Sequence, residues 1–143
     1  MINSKITTSK TTFYVLLTFS IAFILLSAFL IFNVQQIRAS VEEKVYQISE
    51  LSLVINQINK TEGIEEISDV KKRFDELSLS NKMAKGFKDQ ALAIFLNKSD
   101  DGKQLKILKG KIASEIGGLR KQLGENSVSL ANYWWVSHII III

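Results

Sequence analysis

FYVLLTFSIAFILLSAFLIF, residues 13–32, holds no charge, no proline and no glycine over twenty positions. At ~1.5 Å of rise per residue such a run, as one helix, spans the ~30 Å hydrocarbon core of a bilayer. It also satisfies its own backbone hydrogen bonds where no water can. The apolar core exceeds the ~7 to 15 residues of a secretory signal, and no Ala-x-Ala site comes after it, so a retained anchor is expected. A second apolar run, Tyr133 to Ile143, is eleven residues long, about half of what a crossing needs. The chain is therefore expected to stop inside a second membrane helix and to be one end of a longer protein. The expected divisions are a cytoplasmic tail at 1–12, a transmembrane helix at 13–32, an extracytoplasmic helical domain at 33–132, and a truncated second transmembrane helix at 133–143.

Charge alone orients the first helix only weakly. Lys5 and Lys10 precede it, and Arg38 and Lys44 come soon after. The terminal amine tips the balance, placing the tail inside and the long middle segment outside.

The composition narrows the class of the middle segment. With no cysteine, it has neither a disulfide frame nor a thiolate metal site. The absence of proline, with only seven glycines, favours long uninterrupted helices. The net charge of +4 is modest. Between Asn33 and Asn132 the aromatics are Tyr46, Phe74, Phe87 and Phe95, all in apolar periodic settings, which argues against a nucleic-acid partner.

Beyond Phe32 the apolar residues thin to a heptad. Val34, Ile37, Val41, Ile48, Leu51, Ile55 and Ile58 keep 3,4 spacing, interrupted at Lys44. No breaker stands between Phe13 and Lys60, so the membrane helix should continue into the aqueous domain as one rod. Gly63 is the natural stop. Ile64, Ile67, Val70, Phe74 and Leu77 then mark a second helix, with acids early and bases later to suit its dipole. The Ser-rich stretch from Leu77 to Asn81 predicts a turn, with Ser80 capping a third helix that carries Ala84, Phe87, Ala91, Ile94 and Phe95. Asn97 to Gly102 reads as a loop with an Asp placed to cap the next helix. That last helix, from about Lys103 to Ala131, bears the seam Leu105, Leu108, Ile112, Ile116, Leu119 and Leu123. It passes through Tyr133, Trp134 and Trp135, whose rings prefer the membrane interface.

Both ends of the middle domain are tied to one membrane face, so the number of long helices between them should be even. Folding residues 64–97 at Ser78–Asn81 into two helices of about 17 residues each gives an all-α, up-down-up-down four-helix bundle. A two-helix hairpin with an irregular middle is the alternative.

Two surfaces stand out. From Arg38 to Leu77 there are six bases and nine acids; from Ser80 to Leu123, ten bases and four acids. Lys82, Lys85, Lys88, Lys106 and Lys109 are a candidate basic surface for an anionic ligand. The plainer reading is mutual attraction of two halves through surface pairs worth ~0 to 1 kcal/mol each. Opposite the leucine seam of the last helix lies a stripe of small residues, Gly110, Ser114, Gly117, Gly124 and Ala131, a candidate homodimer contact. The plainer reading here is a soft helix or a break at Gly117-Gly118. Asn97 to Gly102 fails as a calcium loop, because Leu108 stands where a bidentate Glu is required. His138, the only histidine, reads as interfacial. With no nucleophile–histidine pair, evident carboxylate pocket or phosphate loop, the chain is not expected to be an enzyme or to hold a metal or cofactor.

A short basic tail, a membrane helix, a stretch of amphipathic helix and the start of a second membrane helix together resemble the sensory end of bacterial transmembrane receptors. These are sensor histidine kinases above all, and also chemoreceptors and membrane diguanylate cyclases. The resemblance is one of architecture and rests on no residue motif. It implies an input domain outside the bacterial inner membrane, usually dimeric, that binds a small ligand or a periplasmic protein. Small shifts of the membrane helices would then drive a cytoplasmic kinase or cyclase lying beyond Ile143. The non-receptor alternatives are a membrane-anchored interaction module without signalling and a non-functional gene fragment.

Overall fold

The computed structural model describes the backbone of residues 2–64, 66–97 and 101–142, and within these all side chains except those of 2–9, 101, 134 and 137–142. Of the expected loop at Asn97–Gly102, residues 98–100 lie outside the described residues, whereas Asn97 closes one helix and Asp101 and Gly102 open the next; the side chains of Lys5, Trp134 and His138 also lie outside the described residues. Four helices account for nearly all of the rest: α1 (Ile2–Thr61), α2 (Ile67–Asp75), α3 (Lys82–Asn97) and α4 (Asp101–Ile142). There is no strand among the described residues.

The chain divides into two compact units, Met1–Ala39 with Ser127–Ile143, and Ser40–Asn126. In the first, every residue from Phe13 to Phe32 except Ser27 and Leu30 is exposed, Phe19 by as much as 71%. Soluble monomers rarely leave so long an apolar surface bare. The stretch is long and apolar enough to cross a membrane.

The second unit is built on a core to which all four helices contribute: Leu51, Val54 and Ile58 of α1, Val70 and Phe74 of α2, Ala84 and Ala91 of α3, and Leu105, Leu108, Ile112 and Ile116 of α4. The α4 seam buries from Leu105 to Ile116 as its spacing predicts and Leu119 packs against the core, but Leu123, its last predicted member, is only half-buried and outside that cluster. The α1 seam is rotated from the predicted heptad. Val54 and Thr61 are fully buried, Ile55 only partly so, and Glu50 is buried beside Leu51. A heptad describes one partner on one line, whereas this part of α1 is covered from a broader arc. Lys44, the predicted interruption, is half-buried and donates to the Ser40 hydroxyl one turn back.

Helix α1 ends where the glycine predicts. Gly63 has φ +92°, and the Ile64 N–H returns to the Thr61 carbonyl at 3.1 Å. A Cβ at Gly63 would meet no atom within 4 Å. The requirement for glycine is thus conformational, worth about 1 kcal/mol for a left-handed residue.

Helix α2 is shorter than the predicted 17 residues: it has nine. Ile64 and Leu77, placed on it by periodicity, flank it as half-buried residues. Asp69 stands in its first turn and Lys72 and Arg73 in its last, in keeping with the dipole. The missing length is spent on a non-helical connector from Leu77 to Ser80. Nor does Ser80 cap α3; Asn81 does. Its Oδ1 accepts the Met83 and Ala84 N–H groups at 2.8 and 3.2 Å.

Gly117 and Gly118 do not interrupt α4, which runs unbroken from Asp101 to Ile142. Likewise no break divides α1 between Phe32 and Val41.

Candidate functional site

The connector leaves helical geometry because its backbone donors have another partner. Glu50, 3% exposed on α1, turns its carboxylate to the start of α3. Oε1 accepts the Ser80 N–H at 2.7 Å and the Ser80 hydroxyl at 3.1 Å; Oε2 accepts the Asn81 N–H at 2.8 Å. Tyr46, one turn earlier on α1, has its hydroxyl 3.1 Å from Ser80 Oγ. One carboxylate thus ties α1 to the corner between α2 and α3, and Leu79 is pressed into the core beside it.

Burial pushes the Glu50 carboxyl up, but the Ser80 and Asn81 N–H groups, with the Tyr46 and Ser80 hydroxyls, outweigh it and hold the group below its ordinary value. An ionised carboxylate with both oxygens committed to donors is a structural clasp, poorly suited to exchange protons with a substrate. Sequence reasoning missed it because a single Glu beside a leucine seam looks like solvated helix surface. The available signal was the connector: five residues without periodicity, Leu77 to Asn81, need acceptors for their N–H groups.

Near the other end of the same unit, α1 and α2 enclose a groove of about 400 Å³ lined by Gln57, Lys60, Asp69, Lys72, Arg73 and Glu76. Its two walls are joined by the Gln57 amide, which donates to the Arg73 carbonyl at 3.1 Å. No sequence motif marks this groove, since its residues come from two helices whose pairing depends on the turn at Gly63.

The predicted basic surface is divided in its commitments. Lys82 and Lys85 on α3 and Lys106 on α4 are exposed. Lys88 is half-buried and donates to the Leu77 carbonyl at 3.5 Å. Lys109 is ion-paired with Glu62 at 2.6 Å and also donates to Asn59 Oδ1 at 3.2 Å. This pairing removes Lys109 as a free anion ligand and links one residue from each of the two stretches of opposite charge balance.

Gly110, Ser114, Gly117 and Gly124 are all exposed on α4, and a Cβ at any of the three glycines would meet nothing within 4 Å. Their own chain leaves this face open. At the expected membrane interface Tyr133 is half-buried and Trp135 is 64% exposed.

No protein-family model, curated protein or solved structure matches the chain.

Proposed function

We propose that the chain is the signal-input module of a bacterial transmembrane receptor of the sensor histidine kinase type. In this reading residues 13–32 anchor it in the inner membrane, residues 1–12 face the cytoplasm, and residues 33–132 stand outside as an up-down-up-down four-helix bundle. Two copies meet along Gly110, Ser114, Gly117 and Gly124. The observation that carries the reading is one helix with two kinds of environment. Helix α1 holds both the bare apolar span and the residues Glu50, Leu51, Val54 and Ile58 that fasten the 40–126 unit, with no break between them. A change in how that unit packs on α1 then reaches the span as a shift of ~1 to 2 Å, the scale on which packed helices switch.

The test is a chimera in which the chain is joined after Ile143 to the remainder of the second membrane helix and the cytoplasmic part of a transmembrane histidine kinase. One to four alanines are then inserted between Ala39 and Ser40. Each insertion turns everything beyond it by ~100°, so autophosphorylation in membranes should change with one or two residues and return toward the native level at about 3.6 residues, one helical turn. An output indifferent to every insertion would remove the relay. The dimer has a separate readout. The chain has no cysteine, so Ser114→Cys should give a disulfide-linked dimer in membranes, and a purely monomeric product would exclude this face.

A further inference from the structure

We propose that the groove between the C-terminal end of α1 and α2 binds a small dipolar molecule, one that carries an acidic group and a protonated amine about 5 Å apart. Its volume of about 400 Å³ lies at the small end of ligand sites. All six lining residues are polar, so recognition there depends on charge-assisted hydrogen bonds rather than on apolar burial. Three of them are cationic and two are carboxylates. A simple anion would meet Asp69 and Glu76 as well as the bases. A simple cation would meet Lys60, Lys72 and Arg73. A molecule with both charges offsets both sets.

The order along α2 sets the spacing. Asp69, Lys72, Arg73 and Glu76 fall at i, i+3, i+4 and i+7, on one face, with the bases bracketed by the acids. Acid and base are three or four residues apart, hence ~4.5 to 6 Å along the axis, longer than the charge separation in an α-amino acid. The ligand's acidic group belongs on Arg73, which offers a planar fork, with Lys72 beside it and Lys60 reaching from α1. Its ammonium belongs on Glu76, three residues beyond Arg73 on the same face.

A second observation is that the charges of the groove are not spent on one another. Asp69 with Arg73, and Lys72 with Glu76, have the four-residue spacing at which helix ion pairs form. Yet among the described residues none of the five charged groups of the groove is in an ion pair. Five charges thus line one concavity with their hydrogen-bonding capacity uncommitted to one another, while Gln57 holds the two walls together. A ligand bridging Lys60 and Arg73 would tighten α2 against α1. The assignment therefore deepens the input-module reading, on which its signalling consequence rests.

The experiment titrates the full chain in lipid nanodiscs with 4-aminobutyrate, and separately with its two halves, butyrate and butylamine. Binding is read by calorimetry at about 0.15 M salt, where diffuse attraction is screened beyond ~8 Å. Saturable binding of 4-aminobutyrate is expected, at least about tenfold tighter than either half, and about tenfold weaker again in Arg73→Gln and in Glu76→Gln. Three results would overturn the assignment: no saturation by about 10 mM, equal response to the halves, or binding unchanged in both variants. If binding fails while the alanine insertions still modulate the chimera, the groove assignment falls and the input module stands. If the insertions are silent while binding holds, the groove stands and the relay falls.

Discussion

Replacing Glu50 with alanine is expected to lower the unfolding free energy by about 3 kcal/mol, because it strands two backbone donors and a hydroxyl in a place built around one carboxylate. The Ser80 and Asn81 N–H groups reach it at 2.7 and 2.8 Å, and the residue is 3% exposed. Hydrogen bonds to a charged acceptor contribute about 1.5 to 3 kcal/mol each, and both of these N–H groups are spent on the one carboxylate. Urea unfolding of the full chain at neutral pH measures the effect. A cost below about 0.5 kcal/mol would mean that water replaces the carboxylate and that the clasp holds nothing.

The same residue fixes a pH dependence. Its folded-state value lies below its ordinary 4.5, so the clasp contributes fully above that pH. As pH falls below it the unfolded chain takes up the proton first, and the contribution is lost as pH drops through the folded-state value. Stability should decline on this acid limb, and Glu50→Gln should flatten that part of the profile while costing about 1 to 2 kcal/mol at neutral pH.

How much of this was legible in the chain depends on what each residue's spacing can encode. The leucine seam of α4 was readable because Leu105, Leu108, Ile112 and Ile116 bury on one line against the core. The stop at Gly63 was readable because its backbone conformation is one that only glycine takes cheaply. The end of α2 was not. Periodicity carried it on to Leu77, but the chain leaves the helix earlier so that Ser80 and Asn81 can reach Glu50, thirty residues away in sequence. The choice of Asn81 over Ser80 as the cap has the same origin, since the Ser80 hydroxyl is already engaged by Glu50 and Tyr46. The groove escaped notice for a related reason: Lys60 and Arg73 are ordinary surface residues until the turn at Gly63 lays α2 beside α1. Local rules read what a segment does by itself, and both sites depend on which segments meet.

Phe74→Ala is expected to have the largest effect of all, about 4 kcal/mol. The ring is fully buried, and its centroid lies 5.8 Å from that of Phe95 on α3 in a tilted pair. Truncation removes both its transfer energy and the packing around the space it leaves. Its position makes the loss more than general. A helix of nine residues does not persist in water on its own, so α2 depends on the two residues it buries, Val70 and Phe74. The variant should therefore lose amide protection at residues 67–75 before the rest of the 40–126 unit opens, which hydrogen exchange reads directly. Because Asp69, Lys72, Arg73 and Glu76 all ride with α2, binding at the groove should fail with it, although Phe74 does not line the groove. Uniform loss of protection across 40–126 would instead mean that α2 is inseparable from the core, and a ligand held there would have no movable wall to act upon.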